Sequence, residues 1–377
     1  MRFILPCSAL LVAAAAGVNV PSFAPPEFPP STIENDGTNV GRYDVRKHMA
    51  WLDPGDENLS SYFFLLWLTL TDGRKYHVTL APNHFFNMTT GIYVVNDLQN
   101  LEAPAIGGTA MAPGVGREDR VYLESILQNF SSPVGGDNFT NLHYTSDFAG
   151  VKVDVTFNPT GKNLYVGGSG GVTIGPSSFV ENHDDYRRLI PGYSWYWGNP
   201  TMRVNGTIFI DNRPAKIDHE RSFAFFERQT GIFGIPGGHL GFWLYLSNGI
   251  MLHIWTLAPT AEGELNERAW ATVWHPDGLH EVIEIAGTSR ARERWTSPAT
   301  GLSYFSEFKI DMPTRKASFI IQQYPTKGEV TAGRGYVGYN ITEAYGQGTG
   351  VWDGKKVTFF GHVEQLSFLG GGHIGGR

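Results

Sequence analysis

The stretch Tyr62-Phe-Phe-Leu-Leu-Trp-Leu-Thr-Leu-Thr-Asp-Gly-Arg-Lys-Tyr-His-Val-Thr-Leu80 decides the fold class. Two runs rich in aromatic and branched residues, Tyr62–Leu70 and Lys75–Leu80, flank Asp72-Gly73. Asp-Gly readily adopts the left-handed backbone of a tight turn, so the stretch predicts a β-hairpin. The pattern recurs in Phe242–Leu246, Asn248-Gly249 and Ile250–Leu257. It recurs again in Val351-Trp352, Asp353-Gly354 and Lys356–Phe368. With 46 Gly and 22 Pro in 377 residues, most windows long enough for a helix are interrupted. Only Glu118–Asn129 has faintly helical spacing. Short strands at regular spacing predict an all-β sandwich or barrel.

Working outward, residues 18–40 form a Pro-rich polar lead-in (Pro21, Pro25, Pro26, Pro29, Pro30). Gly167–Gly171 closes one β region, and the polar Ser177–Gly192 follows. A boundary near residue 200 is therefore expected, giving β domains at 41–200 and 201–377. Hydrophobic residues make up 41% of the chain and aromatics 13%, enough for a sizeable core. The net charge is −7 and no Lys/Arg block occurs, which argues against nucleic acid and anionic membrane as partners.

The N-terminus reads as a signal peptide over residues 1–17. Arg2 is the positive start, Phe3–Ala16 the apolar segment and Ala13–Gly17 the small-residue cleavage region. No run of membrane-spanning length follows. Asn58, Asn87, Asn129, Asn138, Asn205 and Asn340 are N-glycosylation sequons, in keeping with entry into the secretory pathway and an extracellular destination. Cys7, inside the expected signal peptide, is the chain's one cysteine. The mature chain thus has no internal disulfide, cysteine nucleophile or Cys-ligated metal.

The candidate chemistry begins at Ser222-Phe-Ala-Phe-Phe-Glu-Arg-Gln-Thr230. On a strand, Phe223, Phe225, Glu227 and Gln229 share one face, and Ser222, Ala224, Phe226 and Arg228 share the other. A carboxylate among aromatics is desolvated and its pKa rises, which suits a general acid; a structural ion pair is the plainer reading. His253 shares a face with Met251 and Trp255, and His362 with Phe360 and Glu364. Each is an acid/base candidate or a satisfied structural histidine. Trp195 and Trp197 fall together as pocket lining or core, and Trp243 and Trp255 are further lining candidates. His219 lies in a turn, and His275-Pro-Asp-Gly-Leu-His280 has poor metal spacing. No serine-nucleophile elbow, zinc-protease motif or phosphate loop occurs, and no metal or cofactor site is read.

Three stretches together resemble a known group: Trp195–Phe209 with Ile217-Asp-His-Glu-Arg-Ser-Phe-Ala-Phe-Phe-Glu-Arg-Gln-Thr-Gly231; Trp295-Thr-Ser-Pro-Ala-Thr-Gly-Leu-Ser-Tyr304 running to Pro313; and Tyr345-Gly-Gln-Gly-Thr-Gly-Val-Trp-Asp-Gly354 ending in Gly361-His-Val-Glu-Gln365. Their order and spacing resemble fungal proteins similar to carotenoid 1,2-hydratase and kievitone hydratase. Natural-product Diels–Alderases share that architecture. The resemblance spans roughly residues 45–368. It implies two packed lipocalin-like (calycin-type) β-barrel or sandwich domains with an apolar small-molecule pocket in or between them. Two departures from the group's Trp-Tyr-Asp-Arg-Gln-Trp-Gly signature matter: Glu227 replaces its Asp and Thr230 its second Trp.

Within that group, the resemblance implies an enzyme. One expectation is a Diels–Alderase-type cyclase that folds an apolar, polyketide-derived polyene, with Trp195, Trp197, Phe225, Trp243 and Trp255 shaping the cavity and Gln229 or His253 donating a hydrogen bond. The alternative is a secreted hydratase that adds water to an alkene, with Glu227 as acid and His253 or His362 assisting. A non-catalytic carrier of a hydrophobic metabolite and a secreted carbohydrate-active sandwich remain open.

Overall fold

The computed structural model describes residues 45–50, 59–85, 87–117, 119–173, 193–232, 238–265 and 269–367. The expected signal peptide, the lead-in, Ser177–Gly192 and Asn58 lie outside these residues.

The first sheet contains β1 (Leu59–Thr69), β2 (Lys75–Leu80), β3 (Asn83–Phe85), β4 (Met88–Asp97), β5 (Ile106–Gly116), β6 (Tyr122–Ser125) and β7 (Gln128–Ser131). It continues with β8 (Leu142–Phe148), β9 (Val151–Asn158), β10 (Leu164–Tyr165), β11 (Gly171–Thr173), β12 (Tyr193–Ile210), β13 (Arg213–Lys216) and β14 (Phe223–Ile232). The order β12-β14-β1-β2-β4-β5-β6-β7-β8-β9 returns to β12, since Arg203–Phe209 pairs with Lys152–Asn158. Of the fourteen strands, β3, β10, β11 and β13 lie off this ring, which leaves a closed antiparallel barrel of ten.

The second sheet is open. It holds β15 (Gly238–Leu246), β16 (Met251–Leu257), β17 (Trp270–Trp274), β18 (His280–Glu284), β19 (Arg290–Thr296) and β20 (Ser303–Met312). It ends with β21 (Ala317–Tyr324), β22 (Glu329–Val330), β23 (Ile341–Trp352) and β24 (Lys355–Ser367). Its order is β18-β17-β16-β15-β24-β23-β21-β20-β19, with β22 on β23, so β18 and β19 are its edges. This is the two-unit lipocalin-like architecture implied by the sequence. The three hairpins form as expected: β1/β2, β15/β16 and β23/β24. At the last turn Asp353 (φ 48°) and Gly354 (φ 77°) both adopt left-handed backbone, as a two-residue hairpin turn demands.

Two sequence expectations are corrected. The change of sheet falls between Ile232 and Gly238, not near residue 200, because the 18-residue β12 runs straight through that point and pairs along the barrel wall. The described part of the Glu118–Asn129 segment, residues 119–129, is not helical. Val121, Leu123 and Phe130 point into the barrel while Glu124 faces solvent, and this period of two makes β6 and β7.

Three apolar layers result. Phe64, Leu66, Phe130, Tyr144, Phe157, Trp197 and Phe226 fill the barrel. The helix α1 (Val45–Ala50) packs Val45 and Met49 onto this core, and Tyr62 Oη donates to Met49 O at 2.5 Å. Leu240, Phe242, Phe308, Phe319 and Phe359 belong to a core on one face of the second sheet. Between barrel and sheet lie Phe63, Leu65, Trp67, Phe223, Phe225, Trp243, Trp255 and Tyr345. Burying one such aromatic contributes roughly 1.5–3 kcal/mol, so this middle layer fixes the two units against each other. Among the described residues no helix is long and apolar enough to cross a membrane. Of the described sequons, Asn87 and Asn205 are exposed, and Asn129, Asn138 and Asn340 are half-buried.

Candidate active site

Polar side chains collect in the middle layer, and strand register explains how. In the second sheet, cross-strand pairing aligns Trp255, Gly241, Glu364 and Glu343 in one row and His253, Trp243, His362 and Tyr345 in the next. Paired residues project from the same face, here toward the barrel. A side chain at Gly241 would strike the Trp243 ring at 2.8 Å, so glycine leaves the indole its room. On the barrel wall, Phe63, Glu227 and Gly198 align, with Ser61, Gln229 and Tyr196 as the adjacent row.

Glu227 stands at the centre of one cluster. Trp243 Nε1–H donates to its Oε2 at 3.1 Å, and His253 Nε2 lies 3.2 Å from the same oxygen. Tyr196 Oη is 3.2 Å from His253 Nε2. Tyr196, His253 and Glu227 therefore form a continuous path for a proton. Burial, with the Glu227 carboxylate beside it, pushes the Tyr196 hydroxyl well above its ordinary range, so it stays protonated.

A second cluster lies across the Trp243 ring, whose centroid is 5.1 Å from His253 and 5.3 Å from His362. His362 Nε2 is 2.9 Å from Glu343 Oε2, yet neither carboxylate oxygen of Glu343 and neither ring nitrogen of His362 makes an aligned hydrogen bond. Burial, reinforced by the charges of Glu364 and Glu227, raises the Glu343 carboxyl well above the carboxylate range. Burial, with His77 nearby, lowers His362 well below its ordinary value. His77 is itself pushed down to about 3 by burial. Its Nδ1 lies 3.2 Å from Asn96 Nδ2, which also donates to Glu343 O at 2.8 Å. His239 Nε2 meets Glu364 Oε1 at 2.5 Å and stacks on Trp255. Side-chain exposure is 12% for both His239 and Glu364, 7% for Glu227 and 0% for His253, Glu343 and His362, so the His239–Glu364 end is the most exposed.

Of the residues singled out from sequence, Glu227, His253, His362, Phe225, Trp243 and Trp255 come together in this layer. Gln229 follows Glu227 on the same face. Trp195 and Trp197 do not join them: they pair with Thr230 and Arg228, point to the barrel side, and Trp197 Nε1–H donates to His48 Nδ1 at 2.8 Å. The residue between them, Tyr196, reaches the site instead. His219 is exposed beside Glu220, and His280 accepts from the Tyr165 amide at 2.9 Å, both away from the site. Sequence reading missed Tyr196, Glu343, His77 and His239. Glu343 carried a signal, since Ile341, Glu343 and Tyr345 repeat the acid-among-apolars pattern of Phe223, Phe225 and Glu227.

No protein-family model matches the chain. Dehydratase asqC of Emericella nidulans is 23% identical over 93% of this chain and 97% of its own length. Kievitone hydratase of Fusarium solani subsp. phaseoli is 21% identical over 83% of this chain and 85% of its own. The crystal structure of kievitone hydratase from Nectria haematococca superposes with a TM-score of 0.73 at 17% identity, covering 92% of this chain and 98% of that one. The chain is thus similar along nearly its whole length to kievitone hydratase and dehydratase asqC, the group its three motif stretches resemble, and it has the kievitone hydratase fold.

Proposed function

We propose that the protein is a hydro-lyase that adds water to, or removes it from, an apolar small molecule held between the barrel and the second sheet. One observation carries this reading: a buried carboxylate, Glu227, shares its Oε2 with Trp243 and with the imidazole of a Tyr196–His253 pair. In the addition direction, protonated Glu227 gives its proton to an alkene carbon. Water attacks the adjacent carbon, and the proton it sheds passes to His253. From there it returns over 3.2 Å to Glu227, which restores the starting state. Elimination runs the same steps backwards. The similarity to proteins named as a hydratase and a dehydratase supports the reading.

A cyclase is the second reading, favoured by the aromatic surface of Phe63, Phe225, Trp243 and Trp255 in the same layer. Such a template needs shape and a hydrogen-bond donor, and the two buried acid–imidazole clusters go beyond that need. Mass spectrometry of extracts from a strain lacking the gene, beside its parent, separates the readings. A lost product and an accumulated precursor differing by one water support the hydro-lyase. Equal masses overturn it in favour of the cyclase, and an unchanged profile favours a carrier. We further propose secretory entry through residues 1–17 and glycan attachment at the exposed Asn87 and Asn205.

A further inference from the structure

We propose that Glu343, His362 and Glu364 bind one first-row divalent cation of the zinc or manganese type. Glu343 and Glu364 are a cross-strand pair of β23 and β24, and His362 precedes Glu364 by two residues on the same face. One ligand atom from each lies within 4.8 Å of the others. All three are at least nine-tenths buried, at 1% exposure for Glu343, 0% for His362 and 9% for Glu364.

The orientation of these groups points to the ligand. Nε2 of His362 and Oε2 of Glu343 approach to 2.9 Å without forming an aligned hydrogen bond, and Glu343 Oε1 has no partner either. Groups that close but do not aim at each other share a common target. Two ligand atoms about 2.1 Å from a metal lie about 3 Å apart in octahedral and about 3.4 Å apart in tetrahedral coordination, so this spacing is nearer the octahedral geometry of manganese than tetrahedral zinc. Among the described residues, no Lys or Arg forms an ion pair with Glu343 or Glu364. Ionising two carboxylates this close together in a buried layer is costly, and a bound cation would offset that cost.

The surroundings hold the donors as metal sites usually do. His239 fixes Glu364, Asn96 holds the Glu343 main chain, and His77 and Trp243 pack against the His362 ring. One imidazole with two carboxylates suits zinc, manganese or ferrous iron better than calcium. Three protein donors would leave coordination positions for water or for a substrate oxygen.

The test needs no substrate, so it is independent of the hydro-lyase reading. The full chain is stripped with EDTA, dialysed, and titrated with Zn²⁺ and with Mn²⁺ by calorimetry, with metal content measured after gel filtration. One cation per chain is expected, with a rise in melting temperature. Glu343→Gln, close in shape to the native residue, should weaken binding at least about 100-fold, and His239→Phe about 10-fold as an outer-shell change. Co²⁺ should give visible absorption bands in the native protein and none in Glu343→Gln. Should Glu343→Gln fail to fold, the more accessible Glu364→Gln takes its place. Sub-stoichiometric metal in the native protein overturns the proposal. So does binding that survives both glutamine variants and disappears with His143→Ala, since it would then sit at the exposed His143–Asp154 pair. Tight binding without water chemistry would sink the proposed function and leave the site standing.

Discussion

Adjacent residues of β14 bury a base and an acid on opposite faces, and the two are handled differently. Arg228 points into the barrel and is fully buried. It donates to Ser61 O at 3.1 Å, Gln229 O at 2.9 Å and Ser60 Oγ at 2.8 Å, and its guanidinium sits 4.1 Å from the Tyr62 ring centroid. Most of these acceptors are main-chain carbonyls, which neither titrate nor move. Glu227 points the other way, and its partners include an imidazole in contact with a phenol. A charge buried for structure is surrounded by fixed dipoles, whereas an acid buried for chemistry is surrounded by groups that exchange protons.

Substitutions should separate the two faces. The largest effect is expected for Glu227→Gln, which keeps an oxygen for the Trp243 N–H but cannot carry the proton. Turnover of the native substrate should fall about 10²- to 10⁴-fold, with stability held within about 1 kcal/mol. Comparable loss of both would mean that Glu227 is structural. Arg228→Met should do the reverse and lower stability by about 2–4 kcal/mol in urea unfolding, because buried carbonyls lose their donors. The remaining folded protein should keep its turnover; a catalytic defect there would erase the contrast.

The smallest effect concerns His48, on the barrel side. Burial, with the Arg228 charge beside it, holds its pKa well below the ordinary 6.5. Below about pH 6.5 the unfolded chain takes up a proton on this residue that the folded chain does not, so stability present above that pH is lost as pH falls. His48→Gln, which can still accept from Trp197, should reduce the slope of stability against pH by up to about 1.4 kcal/mol per unit below pH 6.5. An unchanged slope would mean that His48 is protonated in the fold.

Much of this contrast was legible before any coordinates. Period-two alternation alone put Glu227 with Phe223 and Phe225 and put Arg228 opposite. The hairpins were legible because Asp-Gly and Asn-Gly turns are local signals. Closure of the barrel was not, since Arg203–Phe209 finds Lys152–Asn158 across about fifty residues of chain. The same limit hid the second cluster: alternation marks Glu343 and Glu364 each on its own strand, but they meet only through the register of β23 and β24. Trp195 and Trp197 were misplaced for a related reason. Their common face was correct, but which face met the second sheet depended on pairing with β14.

A closed ring has no free strand edge, so for the two main sheets the task of refusing a neighbouring molecule's strand falls on β18 and β19. At β19 the sequence Arg290-Ala-Arg-Glu-Arg-Trp-Thr296 lines the edge with charge, and Glu293 breaks its regular backbone with φ 52°. An incoming strand would have to strip water from three arginines and follow a kinked template, which discourages edge-to-edge aggregation. Beside β18 the chain packs on the face of the sheet: the Tyr165 amide donates to the His280 side chain and the Gly167 amide to Thr272 Oγ1 on the neighbouring β17. The short stretch from β10 to β11 thus rivets the barrel to the second sheet, while resistance to strand addition rests on the charged, kinked β19 edge.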